Sequence, residues 1–116
     1  TGAQGNTYET VVTYPSVTGG LVLDLTSNNF FNITMAGNIT LGFIVGGSNT
    51  RTYSAVIAIK QKATGGGTVN WPSNCNTPAN AVYLQSTAAN AVDLYTVFTY
   101  DGGISYILTQ IGQAYS

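Results

Sequence analysis

The sequence predicts an all-β domain, an antiparallel, jelly-roll-like β-sandwich of about eight strands. Three observations carry this. Polarity comes from Thr, Asn, Ser, Gln and Gly, with only 6% charged residues against about 25% in an average domain. Eight Tyr, four Phe and one Trp supply the aromatic and β-branched content that suits a pleated, half-buried surface. No sustained i, i+3, i+4 apolar pattern marks a helix, whereas short β-rich runs recur between turn signals.

The strands are read in order. Thr7 to Tyr14 is rich in Thr, Val and Tyr and stops at Pro15. Gly20 to Thr26 sets Leu21, Leu23 and Leu25 against Val22 and Asp24. Phe30 to Met35 and Ile39 to Val45 flank Ala36-Gly37-Asn38, which reads as a hairpin turn. Thr52 to Gln61 points Tyr53, Ala55, Ile57 and Ile59 one way and Val56 and Ala58 the other. Both faces are apolar, so cover is expected on both sides, one from the core and one from a loop or partner chain. Gly65-Gly66-Gly67 makes a turn into Thr68 to Trp71. Pro72 to Ala81 is irregular. Ala91 to Tyr100 is a long strand, Asp101-Gly102 is a strong hairpin signal, and Ile104 to Ile111 returns. The Asn32-Ile33-Thr34 and Asn38-Ile39-Thr40 sequons read as polar-face positions inside strands.

At 116 residues the chain reads as a single domain over 7–116. Residues 1–6 read as a leader or the end of a collagen-like stalk, because Gly2 and Gly5 keep a three-residue period. The chain begins without Met and without a basic-then-apolar signal segment, and it reads as the middle of something longer. No apolar run approaches the roughly 20 residues of a transmembrane helix.

The charge inventory excludes several chemistries. There is no His, so no Ser-His-Asp or Cys-His nucleophile and no histidine zinc site. The single cysteine, Cys75, cannot form an internal disulfide and reads as a small buried hydrophobe. Arg51, Lys60 and Lys62 are too few to neutralise a duplex footprint. Glu9, Asp24, Asp93 and Asp101 show no paired spacing for a glycosidase and no calcium-loop spacing. Asp101 belongs to its turn, and Asp24 or Asp93 is expected to balance Lys60 or Lys62. Gly65-Gly66-Gly67-Thr68 lacks a phosphate-loop ending. The expectation is therefore a non-enzyme with no cofactor and no metal.

Two segments stand out as binding candidates. Trp71 next to Pro72 is a core or trimer-axis plug or a stacking platform for a sugar ring. The Ser73 to Asn80 loop brings Asn74 and Asn76, whose amides suit hydroxyl partners, and Tyr83 follows closely. Tyr53, Ile57, Ile59 and Phe98 are assigned to core or trimer packing.

The order of three segments is familiar. Ala58-Ile59-Lys60-Gln61-Lys62-Ala63-Thr64-Gly65-Gly66-Gly67-Thr68-Val69-Asn70-Trp71-Pro72-Ser73 comes first. Ser86-Thr87-Ala88-Ala89-Asn90-Ala91-Val92-Asp93 and Phe98-Thr99-Tyr100-Asp101-Gly102-Gly103 follow. Together with Ala36 to Thr40, they resemble the C-terminal module of bacteriophage tail fibre and other virion appendage proteins, of the marine and cyanobacterial phage type. The resemblance spans roughly residues 33 to 110. Members often carry Arg where this chain has Gly67. Many also carry a second Trp-Gly-Gly element where it has Cys75-Asn76-Thr77. The resemblance implies a homotrimeric, mostly β appendage on the virion and supplies no catalytic set.

Two functions follow as expectations. In one, the domain ends a tail fibre, trimerises, and contacts a host surface glycan or envelope protein alongside other virion proteins. In the other, it is a purely structural trimerisation, capping or capsid-decoration unit. A free carbohydrate-binding module is a third class. Neither nucleic acid nor membrane insertion is expected. Replacing Ile57 by Asp would bury an unpaired charge, so Ile57→Asp should abolish cooperative thermal unfolding. A native-like melting curve for that variant would overturn the burial assigned to this strand.

Overall fold

The structure is a computed structural model and describes residues 11–46 and 52–115. Residues 1–6, read as a leader or stalk, lie outside the described residues, as does the start of the strand expected from Thr7. The strands are β1 (Val12–Asp24), β2 (Phe30–Ile44), β3 (Tyr53–Lys60), β4 (Val69–Asn70), β5 (Cys75–Asn76), β6 (Val92–Thr99) and β7 (Tyr106–Tyr115). A 3₁₀ turn covers Pro78–Asn80.

The all-β expectation holds, but the architecture is one curled mixed sheet rather than two stacked antiparallel ones. The order is β1-β2-β3-β6-β7-β5, with β4 joined to β2. β1, β2 and β3 run parallel, as do the β2–β4 and β5–β7 pairs, whereas β3–β6 and β6–β7 are antiparallel.

The parallel register dictates the curl. Val12 lies beside Phe31 and Asp24 beside Ile44, and only residues 25–29 separate the two strands. A straight 13-residue strand would be about 43 Å long. Five residues reach at most about 18 Å. The strands must therefore wrap round, so that each circuit lays a new strand on the last. β1 bends at two register shifts, between Tyr14 and Val17 and between Val17 and Gly19. Pro15 sits in this bent edge strand, where its missing N–H is tolerated. That is why β1 continues past the proline at which the sequence reading stopped it.

β2 corrects a second expectation. No hairpin forms at Ala36-Gly37-Asn38; the strand is continuous from Phe30 to Ile44. Phe31, Ile33, Met35, Ile39 and Leu41 are all buried, so one odd-numbered parity runs straight through the apparent turn. Gly37 occupies the inward position between Met35 and Ile39. A Cβ there would stand 2.9 Å from the Thr18 Cγ2 atom, so a larger residue would have to push the Thr18 side chain of β1 aside.

The core is a set of ladders running across the strands. One is Val12–Phe31–Ile57–Tyr95 and another is Tyr14–Ile33–Ile59–Asp93. Ile57 and Ile59 are fully buried, and Tyr53 is half-buried against the same core. β6 turns Asp93, Tyr95, Val97 and Thr99 inward and leaves Phe98 41% exposed. Phe98 is thus on the outer face and not in the core. The expected turn at Asp101-Gly102 joins β6 to β7.

Ile33 is fully buried at the centre of its ladder. Ile33→Ala should cost about 2–5 kcal/mol, whereas Val22→Ala, at a 54% exposed site, should stay within about 0.5 kcal/mol. Denaturant unfolding of the two variants side by side tests the ladder.

Candidate functional site

Between β5 and β6 the chain leaves the sheet and returns over it. This return is pinned by buried amides and one buried carboxylate. Gln61 follows β3, is fully buried, and closes four hydrogen bonds. Its Nε2 donates to the carbonyls of Gly67 (3.0 Å) and Ser86 (2.9 Å). Its Oε1 accepts from the amides of Lys62 (3.0 Å) and Gly67 (2.9 Å). Gln85 donates to the Ile59 carbonyl at 2.9 Å and accepts from the Tyr95 hydroxyl at 2.9 Å. Asp93, fully buried, accepts from the amides of Ser86 (2.7 Å) and Ala114 (2.8 Å). Backbone donors therefore hold Asp93, and the expected lysine partner is not used. Asp24 likewise takes its own neighbour, accepting from the Thr26 amide at 2.9 Å and the Thr26 hydroxyl. Burial raises the Tyr95 phenol well above its ordinary value, so it stays a donor.

Glycines shape the same region. Gly65 has φ +72°, and a Cβ there would lie 2.5 Å from the Thr87 carbonyl oxygen. Gly66 donates to that carbonyl at 3.0 Å. Gly67 is buried against Gln61 and Met35. A larger residue at 67 would displace the Gln61 carboxamide.

The return path leaves a groove of about 360 Å³ lined by Val69, Trp71, Cys75, Val82, Tyr83 and Leu84 among others. Two of the four expected binding residues, Trp71 and Tyr83, meet here. The Trp71 ring meets the Tyr95 ring edge-on, with centroids 4.8 Å apart. Its indole N–H is the one buried side-chain polar atom without a partner among the described residues. One part of the Trp71 ring packs on the core and another walls the groove.

Asn74 and Asn76 do not join them. The Asn74 side chain donates to the carbonyls of Gly103 (3.3 Å) and Ile104 (3.2 Å), and the Asn74 backbone carbonyl accepts from the Tyr106 amide. Asn74 ties the loop to the β6–β7 turn. Asn76 is exposed on β5, between groove-lining Cys75 and Thr77, and faces away. Burial pushes the Cys75 thiol up to about 11, which keeps it protonated and non-nucleophilic.

Sequence reading missed Val82 and Leu84, which are 81% and 72% exposed, and the fastening residues Gln61 and Gln85. The signal was present in residues 82–85, which alternate exposed and inward positions like a strand. Nothing in the sequence tied them to Gly66 or Gln61.

The chain matches the family described as "Putative phage tail fibre C-terminal domain" over residues 12–104. The match covers most of its length, and the chain belongs to that family. It is thus a virion-associated, phage tail fibre type of domain. No curated protein and no solved structure matches the chain.

Gln61→Leu keeps the volume but strands the peptide groups of Gly67 and the Ser86 carbonyl. It should cost at least about 3 kcal/mol, read by thermal or urea unfolding. Asp101 gives a pH test. Its carboxylate accepts from the Ser105 amide (3.0 Å) and hydroxyl (2.8 Å) and from the Thr99 hydroxyl (2.8 Å). These donors hold it down at about 2, below the usual 3.8. A depressed carboxylate stabilises the fold fully above its unfolded value and loses that contribution as pH falls. The stability gap between wild type and Asp101→Asn should therefore be constant above about pH 5 and close progressively between about pH 5 and 1. A gap that keeps its full size down to about pH 2 would refute this role.

Proposed function

We propose that this domain ends a phage tail fibre, assembles there as a homotrimer, and contacts the host cell surface without catalysing a reaction. The groove of Trp71, Tyr83, Val82 and Leu84 carries the host-contact part. It is an uncharged hollow beside two large exposed apolar side chains, fastened by buried hydrogen bonds to the sheet. A host glycan or envelope protein is the expected partner. Weak contacts at each groove gain strength when three subunits and several fibres engage together.

The outer face of β3, β6 and β7 supports the trimer. Where Ala55, Ile57, Ile59, Tyr95 and Val97 point inward, alternation turns Val56, Ala58, Leu94 and Phe98 to the other face; Phe98 is exposed there, Val56 and Leu94 are half-buried and Ala58 is buried. Phe98 stands beside Ile107 on β7, which carries the apolar positions onto a third strand, with Ser54 and Thr96 as polar neighbours on the same face. This same face favours the second reading, in which the domain only caps and registers a trimeric fibre.

The two readings separate experimentally. Light scattering on a size-exclusion column should give a mass near three chains, and Leu94→Asp should reduce it to one chain with the circular dichroism spectrum retained. Soluble domain should block phage adsorption to its host. Leu84→Ser, at an exposed groove position, should weaken that block by about tenfold or more without changing the mass. Adsorption indifferent to groove substitutions, with the trimer intact, would favour the capping reading.

A further inference from the structure

We infer that the groove takes an extended, uncharged polypeptide strand from its partner, added by main-chain pairing between β4 and the 81–87 segment. The inference deepens the proposed function, and it rests on the groove being a contact surface.

The argument is one of backbone direction. In extended chain the N–H and C=O of one residue point to the same side, and successive residues alternate sides. In the 81–87 segment the Leu84 carbonyl and the Ser86 amide face β6 and β7, while the Ser86 carbonyl takes the Gln61 side chain that also holds Gly67. The Leu84 carbonyl accepts from the Gln113 side chain, and the Ser86 amide donates to Asp93. Thr87 faces the other way, its carbonyl taking the Gly66 amide. By the same alternation the peptide groups of Tyr83 and Gln85 face the Gly66–Trp71 side. Their amides have no hydrogen-bond partner among the described residues.

The opposite wall obeys the same rule. In β4 the Thr68 carbonyl takes the Ile39 amide, and Ile39 aligns with Val69. Thr68 and Asn70 therefore bond towards β2, which leaves the peptide groups of Val69 and Trp71 facing the groove. Their amides too are unpartnered among the described residues. The two walls touch at Gly66 and Thr87 and then part. A second cavity of about 340 Å³, lined by Gly67, Val69, Leu84 and Gln85, lies on the Gly67 side and shares Val69 and Leu84 with the groove. Two open strand edges facing each other across one hollow are what an added β-strand satisfies.

The side chains define the partner's chemistry. No charged residue lines either cavity, so a charged strand would lose hydration with nothing to replace it. Val82, Leu84 and Trp71 provide apolar contact for alternate side chains of an incoming strand.

The test uses the intact domain, isotope-labelled, titrated with acetyl-Thr-Val-Thr-Val-Thr-Val-amide and followed by NMR. The amide signals of Val69, Trp71, Tyr83 and Gln85 should shift and saturate together. The same peptide N-methylated at every second residue keeps its side chains and loses half its main-chain donors, so it should bind at least about tenfold more weakly. Equal binding of the two peptides, or shifts confined to side chains, would overturn main-chain pairing. Saturable shifts with N,N′-diacetylchitobiose and none with the peptide would overturn it in favour of a glycan. The adsorption assay keeps the two claims apart. If Leu84→Ser weakens adsorption but the peptide does not bind, host contact stands and the strand inference falls. If the peptide binds while adsorption ignores the groove, strand pairing stands and host contact falls.

Discussion

The fold depends on one constraint: β1, β2 and β3 must lie parallel and in register although a very short connection joins the first two. That is possible only if each strand wraps, and wrapping determines much else. It stacks like side chains on like, so that Phe31, Ile57 and Tyr95 form one ladder and Ile33 and Ile59 another. It leaves little room at Gly37, where the Thr18 side chain of the preceding circuit closes in. It also calls for register shifts in β1, where Pro15 and Gly19 are accommodated.

The same wrapping explains why polar residues sit at the heart of a nearly uncharged protein. Where the regular circuits end after β3, the chain must cross the open end of the stack, and its peptide groups need partners. Gln61, Gln85 and Asp93 provide them. Each reaches a backbone group distant in sequence: Gln61 donates to the Ser86 carbonyl, Gln85 donates to the Ile59 carbonyl, and Asp93 accepts from the Ala114 amide. Neutral amides do most of this work, so the interior avoids the desolvation cost of paired charges. The groove is a by-product of this crossing. Two extended segments are fastened at one end by Gln61 and Gly66 and splay apart beyond it.

Membership of the tail fibre C-terminal family agrees with this economy. Cys75 lines the groove, yet its thiol is pushed up by burial and stays inert.

The sequence by itself determined the all-β class, the inward parity of Ala55, Ile57 and Ile59, the turn at Asp101-Gly102, and the lack of residues for common catalytic and metal chemistry. Period-two alternation records which face a residue occupies, and local turn chemistry records a tight reversal. Neither records which strand lies alongside, nor in which direction. Ala36-Gly37-Asn38 has the composition of a hairpin, yet only packing against Thr18 reveals it as a close approach within one strand. Trp71 and Tyr83 were readable as candidates, but their meeting, the diversion of Asn74 to the Gly103 and Ile104 carbonyls, and the exposure of Val82 and Leu84 arise in the tertiary structure. These contacts join residues far apart in the chain, and their energies depend on wrapping that no local window of sequence contains.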